Sequence, residues 1–90
     1  MSKTKFDLLI VDIVRQKRLE SGYSQEQLAH FLGVSNGFIG KVESNKFSSK
    51  YNLNHINKLA NIFNCSPKDF LPNYSTYEVE NPNYKEISRS

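Results

Sequence analysis

The sequence predicts an all-α fold: five short helices between residues 7 and 71, followed by a non-helical C-terminal tail. Two observations predict it. Apolar side chains return every three or four positions in successive segments, the period of one helical face. Each segment is also bounded by residues that start or stop helices, with a hydroxyl or amide in front and glycine, asparagine or proline behind. The 90 residues, 38% of them hydrophobic and none tryptophan, allow one small domain with a compact core. The boundaries drawn are residues 1–72 for the domain and 73–90 for the tail.

The first helix reads from Asp7 to Ser21. It has no internal glycine or proline, and Gly22 stops it. Ile10, Ile13, Val14 and the aliphatic stem of Lys17 recur at helical spacing. Leu8, Val11 and Leu19 do not all fit that face; they are either further core or a surface for a partner. Ser24-Gln25-Glu26-Gln27 opens the second helix, because serine followed three residues later by glutamine is a capping box. Leu28, Ala29, Phe31 and Leu32 are expected on its buried side, and Gly33 ends it. Ser35 is read as the cap of a third helix running to about Ser44, with Ile39 and Val42 facing inward. Gly33-Val34-Ser35 is then the whole connection. So short a turn forces a steep crossing, the helix-turn-helix arrangement, with Ala29 small enough to ease it.

Residues 45–52 form a polar loop that holds Lys46, Phe47, Lys50 and Tyr51. Asn52 is placed to cap a fourth helix, where Leu53, Ile56, Leu59, Ala60 and Phe63 make an apolar stripe, and Asn64 ends it. Ser66-Pro67-Lys68-Asp69 begins a short fifth helix, with serine as cap, proline at the first position and an acid in the first turn. Phe70 and Leu71 are expected to plug the core before Pro72. The tail has Tyr74, Tyr77 and Tyr84 but no helical stripe. It reads either as a loosely ordered segment or as a short strand, Ser75 to Glu80, that pairs with a second subunit.

Net charge is +3 with a pI near 9.1. The charge is uneven: residues 73–90 carry −1, and residues 1–72 carry +4, from ten basic and six acidic side chains. That bias is compatible with a nucleic-acid partner. The single cysteine, Cys65, offers no internal disulfide and fits a reducing compartment. Lys3, Lys5, Asp7 and Asp12 break every N-terminal apolar run, and Leu8 to Val11 is too short to span a bilayer. A cytoplasmic protein without a membrane partner is expected. His30, His55 and Cys65 have no metal-ligand spacing, and no phosphate loop, nucleophile elbow or paired-carboxylate motif occurs. The expectation is no enzyme, no catalytic residue, no metal and no small-molecule cofactor.

The stretch SQEQLAHFLGVSNGFIGKVESNK resembles the helix-turn-helix of the phage repressor and Cro family, the Xre-like proteins. Ser24-Gln25, Leu28-Ala29, Gly33-Val34-Ser35, Ile39, Val42 and Glu43 match that pattern, and INKLANIFNCSPKDFL resembles the family's last two helices. The resemblance covers about residues 8–71. It implies a five-helix repressor-like domain that binds double-stranded DNA as a transcriptional regulator, with the third helix, residues 35–44, in the major groove. A single unit of this kind reads only a few base pairs, so a homodimer on a palindromic site is expected. Gln25 falls where the family meets a phosphate, and Asn36, Gly37 and Lys41 fall at base-reading positions. Ser35 opens that helix. Phe38 either presses on a thymine methyl or sugar, or is a packing residue or an exposed aromatic. Gly37 and Gly40, unusual for the family, would let the backbone approach the groove wall. Glu43 is expected to be structural, bonded to a base such as Arg18. Asn45, Lys46 and Lys50 lie where the family clamps a phosphate. The loop is about two residues longer than the family's and lacks its proline, so no single lysine is marked. The rival reading is a protein-interaction module, an antitoxin or anti-repressor docking through the tail.

Overall fold

The computed structural model describes residues 3–77. Helix α1 spans Lys5–Glu20, α2 Gln25–Leu32, α3 Phe38–Glu43 and α4 Leu53–Ile62, and a turn of 3-10 helix follows at Pro67–Phe70. Local chemistry sets most of these ends. The Thr4 hydroxyl accepts the Asp7 N–H while the Asp7 carboxylate accepts the Thr4 N–H, so α1 starts before Asp7. Ser24 and Gln27 form the same reciprocal pair on α2, and Asn52 and His55 form it on α4. Gly33 takes φ +78° and ends α2; its N–H and that of Val34 both turn back to the Ala29 carbonyl. Asn64, at φ +55°, ends the α4 region.

Val14, Leu28, Ala29, Leu32, Ile39, Ile56, Leu59, Ala60 and Phe70 form one buried cluster, to which all four helices and the 3-10 turn contribute. Val11 and Val42 are buried as well. On α1 the buried face is Val11, Val14 and Arg18, whereas Leu8 and Leu19 face solvent, so the ambiguous trio divides between core and surface.

Five expectations need correction. Leu53, expected in the apolar stripe of α4, is at its first position and points into solvent. The third helix begins at Phe38, not after Ser35. The Phe38 N–H bonds to the Ser35 carbonyl and closes a turn over Asn36-Gly37, a dipeptide that favours turns. Ser35 therefore lies too far upstream to cap, and α3 has no side-chain N-cap. The connection from α2 to α3 is accordingly five residues, 33–37, rather than three. Phe31 is half exposed and stacks edge-on against Tyr23, 5.1 Å between centroids, instead of joining the core. The fifth helix is a single 3-10 turn, and only Phe70 plugs the core; Leu71 faces outward. No strand occurs among the described residues, and residues 73–77 are non-helical. The rest of the tail, including Val79 and Glu80 of the expected strand, lies outside the described residues. No described helix is long and apolar enough to cross a membrane.

Candidate nucleic-acid interface

The turn after α2 and the outer side of α3 form an open ridge. Ser35, Asn36, Gly37 and Lys41 are all exposed, and a Cβ built on Gly37 would meet no atom within 4 Å. Ile39 and Val42 hold α3 down from the other side. Six residues are far below the roughly 12–15 at which an isolated helix becomes even marginal, so α3 persists because its neighbours pack against it.

Gly40 has a different reason from Gly37. A Cβ there would stand 3.2 Å from Oε1 of Gln25, so the glycine makes room for a side chain of α2. That side chain is held in place. Gln25 Nε2 donates to Glu43 Oε1 at 2.9 Å. The Glu43 carboxylate is 4% exposed and receives Arg18 Nε and Nη2, both at 2.9 Å, in a fork. Arg18 Nη1 donates to the Tyr23 carbonyl, and Arg15 Nε lies 3.8 Å from Glu43. The glutamate expected to be structural is therefore the hub of a network whose core is the buried Arg18 fork, with Arg15 as a second, half-exposed positive charge beside it. Gln25, exposed at the start of α2, is the outer end of that network.

Phe38 packs inward. Its ring meets His55 at 5.3 Å and Tyr51 at 6.2 Å and rests against the main core. The Tyr51 hydroxyl is buried without a hydrogen-bond partner. Burial, and then the Glu43 charge, push its phenol above the usual tyrosine range, against a smaller opposing pull from Arg18. His55 Nδ1 accepts the Asn52 N–H at 3.1 Å. Burial, reinforced by the Lys58 charge, holds its imidazole below the ordinary histidine value.

The basic side chains differ in their engagement. Lys41 Nζ sits 5.8 Å from the Phe47 ring centroid, within cation–π range. Lys50 Nζ lies 3.3 Å from an Asp7 oxygen. Asn45 and Lys46 are exposed, and the Lys46 N–H bonds to the Ser44 hydroxyl. Two further residues border this surface that sequence reasoning missed, Lys3 and Phe47. The Lys3 ammonium reaches the carbonyls of Ser44 and Phe47, 41 and 44 residues away, a contact that no local pattern marks.

A capped helix, a glycine-led turn and a second helix lying across it with an open outer side define a helix-turn-helix protein. The family model described as Helix-turn-helix matches residues 14–70, and the chain belongs to this family of Xre-like DNA-binding regulators, which is not a family of enzymes. No curated protein matches the sequence. Among solved structures, the restriction-modification controller protein C.AhdI from Aeromonas hydrophila is similar, with 28% identity and a TM-score of 0.61 over 71% of this chain and 94% of that one. A hypothetical transcription factor, NHTF, from Neisseria shares the fold at 22% identity and a TM-score of 0.65, over 80% and 83% of the two chains. The SinR protein/SinI protein complex shares it at 21% identity and 0.60, over 89% and 75%.

Proposed function

We propose that this regulator binds duplex DNA sequence-specifically, with the 35–37 turn and α3 entering the major groove. The observation that carries the reading is the open ridge: Ser35, Asn36 and Gly37, in the turn before α3, and Lys41, on the helix itself, are exposed, while the opposite face of α3 is buried. Asn36 is the candidate for adenine, and Lys41 for guanine O6/N7 or a phosphate. Gly37 lets the backbone come close. Gln25, Asn45, Lys46 and Lys50 flank the ridge as phosphate contacts, and Ser35 lies at the groove edge. Phe38 serves from behind by supporting α3.

One such unit reads few base pairs, so a two-fold dimer on a palindrome is the working assembly, with half-sites one turn, about 34 Å, apart. Selection of bound sequences from a random duplex pool tests the whole reading. The expected outcome is an enriched palindrome whose affinity falls steeply with salt, a log–log slope of roughly −0.9 per phosphate contacted. An unenriched pool, or binding indifferent to salt, refutes it and leaves the protein-interaction reading.

A further inference from the structure

Resting on the DNA reading above, we infer that Lys3 and the first turn of α1 form a bracket that fixes the C-terminal end of α3 and the 44–50 loop against DNA. Lys3 is thus a positioning residue for base readout. Its ammonium lies 2.6 Å from the Ser44 carbonyl, 2.9 Å from that of Phe47 and 3.4 Å from that of Lys41. An ammonium has three N–H donors and no acceptor, and three carbonyls converge on it. The Lys41 carbonyl, which also accepts the Ser44 N–H, is in the last turn of α3, where the negative end of the helix dipole favours a cation, and the Ser44 and Phe47 carbonyls lie just beyond the helix.

A second tie leaves the same short segment. Asp7, oriented by its reciprocal bonds with Thr4, takes Lys50 at 3.3 Å. Residues 3–7 therefore hold the loop near its start, at Ser44 and Phe47, and at its far end, at Lys50. The helix that carries Asp7 is anchored in the core by Val11 and Val14, and Lys3 stands immediately before its Thr4 cap. Helix α3 needs this support. It has six residues and no side-chain cap; Ile39, Val42 and the Arg18-bound Glu43 fix the helix itself, and the loop that leaves it at Ser44 is what the bracket holds. Lys41 and Lys46 stand on the stretch the bracket holds. With its donors taken by carbonyls, Lys3 acts on DNA through α3 and the loop rather than on a phosphate.

The test compares the full chain with Lys3→Gln and Lys3→Arg, on the duplex that selection enriches and on a scrambled duplex. For Lys3→Gln, amide exchange at Ser44 and Lys46 should accelerate while exchange at Leu28 and Gly33 stays the same. Affinity for the enriched duplex should fall about tenfold, as loss of charge-assisted hydrogen bonds implies. Binding to the scrambled duplex and the salt slope should hold, and Lys3→Arg should recover most of the loss. Unchanged exchange at Ser44 and Lys46 overturns the bracket. A salt slope shallower by roughly 0.9, with equal losses on both duplexes, overturns it too by making Lys3 a phosphate contact. If the wild-type chain enriches no duplex, the DNA reading fails instead, and exchange alone decides whether the bracket exists.

Discussion

Glu43 carries a charge that the fold takes out of water, and its cost is met by Arg18. The two side chains are 4% and 8% exposed, and their two bonds form a fork. Removing one partner of such a pair leaves the other charged and buried, which typically costs about 3–5 kcal/mol. A small domain has only about 5–15 kcal/mol in total. Glu43→Ala should therefore lower the urea midpoint severely and release Gln25, whose amide would lose its acceptor. A midpoint close to wild type would show that the pair is not closed in solution. Asn36 lies in the turn before α3 and Lys41 on the outer side of that helix, and both side chains are exposed. Asn36→Ala and Lys41→Ala should each leave the melting temperature intact while weakening the preferred duplex by about 1–3 kcal/mol and broadening base preference at one position. Two such variants that bind like wild type would remove α3 as the reader.

Among the elements, what could be read in advance follows from how far apart the cooperating residues are. The Ser24–Gln27 box and the Asn52 and Ser66 caps each span at most three residues and were legible. So were the stops at Gly33 and Asn64, since each needs only its own backbone angle. Ser35 misled because the next two residues, not the hydroxyl, decide where α3 begins. Phe31 and Leu71 misled because apolar character does not say whether a neighbour arrives to cover it. The inward turn of Phe38 depends on Tyr51 and His55, which approach from the next loop and helix, and Gly40 is explained only by a side chain of α2. The cap on α4 adds a pH dependence that sequence alone did not expose. His55 closes the box with Nδ1 as acceptor, which requires neutral imidazole. Its folded pKa is depressed, so as acid is added the unfolded chain protonates first. The contribution is full above the unfolded value of about 6.5, declines as the pH falls through it, and levels off below the folded pKa, where both states are protonated. The melting temperature should therefore drop between about pH 7.5 and pH 5.5. His55→Gln accepts the same N–H without titrating and should flatten that drop. An equal drop in the variant would assign the effect elsewhere.

For the whole molecule, the question is how so small a reader obtains selectivity. The ridge spans the turn at 35–37 and six helical residues, enough to touch a few base pairs. Fold and ridge were legible because the helix-turn-helix is encoded locally. The proposed two-fold contact was not, because any such contact would be made by surfaces that in one chain simply look exposed: Leu19, Phe31, Leu53, Leu71, Tyr74 and Tyr77 are all large and outward. The DNA can report the assembly without that contact being known. Two ridges fixed by a dimer must meet the same face of the helix, one turn or about 10 bp apart. Inserting about 5 bp between the half-sites of the enriched palindrome turns one of them to the opposite face, so affinity should collapse toward that of a single half-site. Inserting about 10 bp restores the face but stretches the span by about 34 Å, so a rigid dimer recovers little while a flexibly joined one recovers most. The salt slope should fall with the affinity on the duplex carrying the shorter insertion, because half of the phosphate contacts are lost at once. Independent monomers would ignore both insertions, and that result would discard the dimer while leaving the ridge as reader.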